Sequence, residues 1–151
     1  MAFAIKSTLQ AVETFLKASG YFQTVYVGEP KQPIKAEKVS AAIFMANVAV
    51  TKLTLNSTIE RHQVTVRIYR DALAEPQADT EYMLAEVVQK IVEDLAGDYD
   101  LGATIRAIDF AGMEGAGLRT DWGYLDIGGS MYRIADISLP LVVDDSATLT
   151  Q

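Results

Sequence analysis

The sequence predicts an α+β fold, a mostly antiparallel sheet with a long β-hairpin, packed by two amphipathic helices. Three observations carry that expectation. Two segments repeat apolar residues at helical spacing and each ends at a glycine. Two long runs alternate or hold apolar residues at a period of two and are joined by the turn-forming Asn56-Ser57-Thr58. Strands and helices do not alternate as βαβ repeats, so a parallel sheet is not expected. A chain of 151 residues suits one domain, 1–151, with a polar tail at 144–151.

The elements follow in chain order. Ile5, Leu9, Val12 and Leu16 form one stripe of a helix over 3–18, stopped at Gly20. YFQTVYV, 21–27, is β-branched and aromatic and reads as a strand. GEPKQPIKAEK, 28–38, carries two prolines and several charges and reads as a solvated or partner-facing loop. Residues 39–55 read as a strand covered on both faces. Ala42, Phe44, Ala46, Val48 and Val50 share one side, and a bulge near Thr51 or Lys52 accounts for the switch to Leu53 and Leu55.

HQVTVRIYR, 62–70, alternates Val64, Val66 and Ile68 against Thr65, Arg67 and Tyr69, completing a hairpin. After a loop, Leu84, Val87, Val88, Ile91, Val92 and Leu95 define a second helix over 80–96, capped by Asp79 or Thr80 and ended by Gly97. TIRAIDF, 104–110, reads as a strand, and AGMEGAGLRTD, 111–121, as a glycine-rich loop. The closing segment holds two strands around Gly128-Gly129; Pro140, lacking an N–H, is expected to put the last of them at a sheet edge.

Composition narrows the function. A net charge of −7 argues against a basic face that grips nucleic acid. With no cysteine there is neither disulfide nor thiolate chemistry. MAFAIKSTLQ does not read as a signal peptide, and no run approaches the apolar length of a membrane helix, so a soluble protein without membrane partners is expected.

The chemical motifs are thin. Gly128-Gly129 and the GMEGAG stretch at 112–117 are followed by strand-like sequence, not by the helix whose N-terminus would hold a phosphate. The glycines therefore serve positive φ in turns. His62, the one histidine, shares parity with Val64 and Val66 and reads as buried and satisfied; no second His or Cys offers it a metal. No G-x-S-x-G elbow is present. Asp94, Asp98 and Asp100 cluster, Asp121 and Asp126 flank Trp122, and DYDLG at 98–102 is too short for a calcium loop. Trp122 is either a core or sheet-edge anchor or an interface anchor. No catalytic, cofactor-binding or metal residue is assigned.

Taken in order, the helix ending at Gly20, the segment VYVGEPKQPI, the apolar strand AAIFMANVAV, the strand HQVTVRIYRD, the helix EYMLAEVVQKIVEDL and the closing DWGYLDIGGSMYRIADISLPLVV resemble the tail terminator (tail completion) family of long-tailed bacteriophages over about residues 3–143. The resemblance implies a structural virion protein of the tail–neck region, not an enzyme, and no cofactor. It implies a homo-oligomeric ring, commonly a hexamer, that caps the tail tube and stops its growth. It also implies contact with the tail tube protein on one side and the head completion or connector proteins on the other, with DNA passing through the lumen without specific binding. Six such chains would carry a charge on the order of −40, which disfavours sticking of phosphate.

On this reading the hairpin tip, Asn56, Ser57 and Thr58, and the loop 111–121 with Glu114 and Arg119 face the tube or the head, with Trp122 beside them. Arg61, Arg67 and Arg70 are candidates for ion pairs with a neighbouring subunit, although Arg67 and Arg70 differ in parity and cannot serve one contact. Competing readings are another neck or head-closure connector, a small hydrolase using an acidic pair drawn from Asp98, Asp100 and Asp121, or a generic binding module.

Overall fold

The computed structural model describes residues 5–36, 38–53, 58–73, 76–98, 100–102, 105–112 and 116–144. The order of elements is α1 (Ile5–Ser19), β1 (Val25–Val27), β2 (Ser40–Leu53), β3 (Thr58–Asp71), α2 (Gln77–Gly97), β4 (Ala107–Ile108), β5 (Arg119–Ile127) and β6 (Ser130–Asp144). The α+β class holds: six strands form one sheet in the order β1-β2-β3-β6-β4, with β5 also on β6. All pairings are antiparallel except β1 with β2.

The helices cover one face. Val12 and Leu16 of α1 and Leu84, Val87, Ile91 and Leu95 of α2 pack on Ile43, Val64, Val66, Ile68, Ile137, Leu139 and Leu141. Each fully buried aliphatic side chain contributes about 1.5–3 kcal/mol. The helices form because their apolar residues recur every three or four positions and so reach the sheet together. The stop at Gly20 (φ 76°) is as expected. The caps of α2 are not as expected: Pro76 is the N-cap and makes no side-chain cap bond, while Thr80 lies inside the helix and is buried. Proline is suited to that site because its missing N–H would be an orphan anyway.

The opposite face is covered by the proline loop, contrary to its reading as a solvated segment. Ala36 is buried with Ala42, Tyr69, Ile127, Tyr132 and Ile134, and Ile34 packs against them. The Tyr132 hydroxyl donates to the Ile34 carbonyl at 2.8 Å and accepts from the Ile34 N–H at 2.9 Å, and the Asp71 N–H donates to the Ala36 carbonyl at 2.9 Å. Lys31, Lys35 and Lys38 keep their side of the loop exposed.

Four strand expectations need correction. First, the strand read at 21–27 is ordered as a strand only over Val25–Val27. Second, β2 is not covered on both faces. Its N-terminal part is buried through Ile43, but residues 46–50 are exposed. The expected bulge lies between Val50 and Lys52, and a further one lies between Met45 and Asn47, which ends the shared parity of Ala42 and Phe44 with Val48.

Third, the strand read at 104–110 is reduced, among its described residues 105–110, to the two-residue β4. Fourth, β6 is interior, between β3 on one side and β5 with β4 on the other. Pro140 is accommodated because its carbonyl, which accepts the Asp109 N–H at 2.9 Å, faces the β4 side. A strand residue points its N–H and C=O the same way, so the missing donor falls in the gap between the last β5 pair, Arg119–Ser138, and the β4 pair, Ile108–Leu141.

Gly128 and Gly129 make the two-residue turn between β5 and β6, with φ of 57° and 92°, both positive as a type I′ turn requires. The Asp126 carboxylate accepts the Gly129 N–H at 2.9 Å. Gly117 is needed for a different reason. A Cβ there would lie 2.5 Å from the Phe110 carbonyl oxygen and 2.9 Å from the Gly112 nitrogen, both backbone atoms. Gly117→Ala is expected to cost about 1–3 kcal/mol through this overlap, read from the urea midpoint at unchanged slope.

Candidate functional site

The sequence-predicted site residues divide into clamps inside the chain and groups at the open edges of the sheet. Asn56, Ser57 and Glu114 lie outside the described residues; Thr58 opens β3.

The three arginines of β3 are engaged within the chain, not presented as free surface cations for a neighbour. Arg61 is buried; its guanidinium donates to Gln63 Oε1 at 2.9 Å, to Asp109 Oδ2 at 3.4 Å and to the Ala116 carbonyl. It thereby fastens Asp109 and Ala116 to β3. Arg67 makes a two-pronged pair with Asp136 at 2.7 and 3.0 Å, lies 3.8 Å from Glu29 and sits over the Phe44 ring. The Asp136 carboxylate holds its pKa above the ordinary arginine value. Arg70 is buried, with Nη1 at 2.7 Å from Met83 Sδ of α2. Parity alone cannot reveal these partners, because each comes from another strand, loop or helix.

His62 is buried and satisfied, as expected. Its Nε2 lies 2.8 Å from Glu60 Oε1 and its Nδ1 3.1 Å from Thr8 Oγ1. A neutral ring donating from Nε2 accepts the threonine hydroxyl at Nδ1; a charged ring donates to both. Thr8, His62 and Glu60 are 1, 0 and 4% exposed, so this trio ties α1 to β3 and has no access to a substrate.

Tyr69, on the other face, is wholly buried, and its hydroxyl has no hydrogen-bond partner. Burial raises its pKa above the ordinary 10.0, and the neighbouring Arg67 guanidinium opposes the rise. A raised phenol pKa means stability that is full below about pH 10 and is lost as pH climbs past the folded value. Tyr69→Phe is therefore expected to be neutral, or stabilising by up to about 1 kcal/mol, at pH 7. It should also flatten the alkaline fall in unfolding free energy above pH 10, measured by urea titration.

The acidic residues stand on separate elements. Asp94, near the end of α2, accepts the Tyr21 hydroxyl at 3.0 Å, which raises the Tyr21 pKa. Asp98 lines a groove of about 430 Å³ beside α1, together with Ala11, Phe15 and Leu101. Asp121 lies on β5, ion-paired with Arg119 at 2.7 Å. Among the described residues no group of three or more His, Asp or Glu side chains is placed to hold a metal ion. Among them, too, no helix is long and apolar enough to cross a membrane.

The sheet edges are the remaining feature. Among the described residues β1 pairs only with residues 41–43 of β2, which leaves 44–53 without a strand on that side. At the other end of the sheet, β5 pairs with β6 alone. Large apolar side chains are exposed at both edges: Val48 and Val50 (58%) on β2, and Trp122 (41%) and Tyr124 on β5. The tryptophan is thus an exposed edge residue, not a core anchor.

The arrangement defines an α+β domain whose sheet, among the described residues, is open at both ends. In comparisons with known proteins, no family model matches the chain and no curated protein sequence matches it.

Proposed function

We propose that this chain is a ring-forming structural protein of a bacteriophage neck, of the tail terminator kind: it caps the tail tube, halts its growth and joins the tail to head completion proteins. The observation that supports it most is the pair of open edges. β2 and β5 lie at opposite ends of one sheet, and three antiparallel pairings separate them, so they run in opposite directions. The free edge of one copy then meets the free edge of the next head to tail, a heterologous contact that closes into a ring when the rotation between copies divides a full turn. Long edges that expose apolar side chains such as Val50 and Trp122 are otherwise a liability that proteins avoid.

The sequence resemblance supplies the biological setting: a virion protein assembled in the host, with the tip at 56–58, Glu114 and Arg119 turned toward tube or head, although Arg119–Asp121, read as the end of a loop over 111–121, belong to strand β5. Arg61, Arg67 and Arg70 drop out of the intersubunit contact because they are used inside the chain. The reading needs no catalytic group and no cofactor, and the net charge of −7 per chain suits a lumen through which DNA slides.

Native mass spectrometry of the full chain, alone and mixed with tail tubes, tests it. A closed sixfold species, alone or only on tube ends, supports the proposal. A twelvefold species that binds a portal points to a head-closure connector instead. A chain that stays monomeric and ignores tube ends refutes both.

A further inference from the structure

The two open edges carry enough geometry to fix how copies would join. The Asp109 N–H donates to the Pro140 carbonyl and the Arg106 N–H to the Val142 carbonyl, so even-numbered residues of β6 point their backbone groups away from β3 and odd-numbered ones point toward it. Leu141 and Val143 therefore exchange bonds with His62 and Glu60, their register partners on β3. On β2 the partners of His62 and Glu60 are Val48 and Val50, whose N–H and C=O must then face the open edge. The same alternation on β5 turns Asp121 and Gly123 toward β6, and Trp122 and Tyr124 outward.

The side chains agree. Val48 lies opposite His62, which bonds α1, and Tyr124 lies opposite Arg133, which bonds Glu81 of α2 at 2.6 Å. Val48, Val50, Trp122 and Tyr124 thus share the helix side of the sheet, beyond the helices' cover. The two bulges of β2 bound a regular window at residues 47–50, and Val48 and Val50 are the residues of that window that face outward.

We infer that β2 of one copy pairs antiparallel with β5 of a second copy, with Val50 opposite Trp122 and Val48 opposite Tyr124. In an antiparallel ladder, residues that face the partner must oppose residues that face back, and two such pairs exchange about four backbone hydrogen bonds. This register also places each β-branched valine against an aromatic ring on one face, a favoured cross-strand combination. Sliding by two residues leaves one aromatic without its valine and runs the ladder into a bulge. The inference names the contact of the proposed ring and rests on that reading only for closure; pairing itself does not require it.

The absence of cysteine makes the test clean. The full chain carrying Val50→Cys and Trp122→Cys is oxidised and run without reductant. Directly opposed residues about 5.5 Å apart are within disulfide reach, so a covalent ladder of multimers that reduction returns to monomer is expected. Val48→Cys with Tyr124→Cys is the second in-register pair and keeps the tryptophan, should its loss unfold the chain. Val48→Cys with Trp122→Cys is diagonal, about 7–8 Å apart, and should give little product. Equal or greater ladder from the diagonal pair overturns the register. Closed rings by native mass spectrometry with no ladder from either in-register pair overturn the contact while leaving the ring reading intact. Ladders that never close keep the contact and remove the ring. No ladder up to millimolar chain, from a folded variant, overturns the pairing.

Discussion

Arg61→Ala is expected to cost about 3–5 kcal/mol, a large share of the roughly 5–15 kcal/mol that holds a domain of this size together. The reason is the company the side chain keeps. Its guanidinium is nearly out of solvent and so is the carboxylate of Asp109 that it meets. Truncation removes a cationic partner from a carboxylate 5% exposed, and it strips this donor from both Gln63 Oε1 and the Ala116 carbonyl. The dominant cost lies at the buried Asp109, because Gln63 is half-buried and Ala116 exposed, so water can reach their freed acceptors. The pair itself need not be strongly stabilising, since Arg61 Nε is buried without a partner. Asp109→Asn in the Arg61→Ala background should therefore recover part of the loss, because it removes a charge from a side chain 5% exposed while an amide oxygen can still accept the Gly112 N–H, now 3.1 Å from the carboxylate. Urea unfolding of the two single variants and the double variant measures this. An Arg61→Ala loss below about 1 kcal/mol would place the side chain in solvent instead, as a surface ion pair behaves.

Much of the framework is legible in the sequence. The stripes of α1 and α2, the long hairpin and the Gly128-Gly129 turn each follow from a local rule: a period of 3.6, a period of two, or a demand for positive φ. What escaped was set by residues far apart in the chain. Ile34 and Ala36 look like loop residues until Tyr132, ninety-eight positions later, supplies the ring and hydroxyl that hold them. Pro140 reads as an edge signal because a proline lacks a donor; nothing local tells that the neighbouring strand happens to lapse there. The bulge at residue 46 hides among alanines, which suit either face. Arg61, Arg67 and Arg70 read as surface charge because a single strand does not reveal Asp109, Asp136 or Met83. The open edges on β2 and β5 have no local signal of their own, since which strand ends a sheet is set by pairing between distant segments.

Val50→Pro is expected to abolish assembly while leaving the monomer folded. The Val50 N–H faces the open edge, so a proline ring there removes no bond to β3 and blocks an incoming strand, a setting in which a sheet tolerates proline. Val48→Pro should behave alike, and so should Trp122→Pro on the opposite edge, whose N–H also points outward. Ala49→Pro is the counter-case. Its partner on β3 is Arg61, and its N–H faces β3, so the substitution breaks the ladder and should cost about 3 kcal/mol or more. One position apart, the same chemical change is predicted to separate folding from assembly. Circular dichroism melts give the first quantity and native mass spectrometry the second. If Val50→Pro and Ala49→Pro melt alike, the assignment of outward backbone groups is wrong. If Val50→Pro folds and still assembles as the parent chain does, copies join elsewhere, and the valines and aromatics at the two edges must be exposed for another partner.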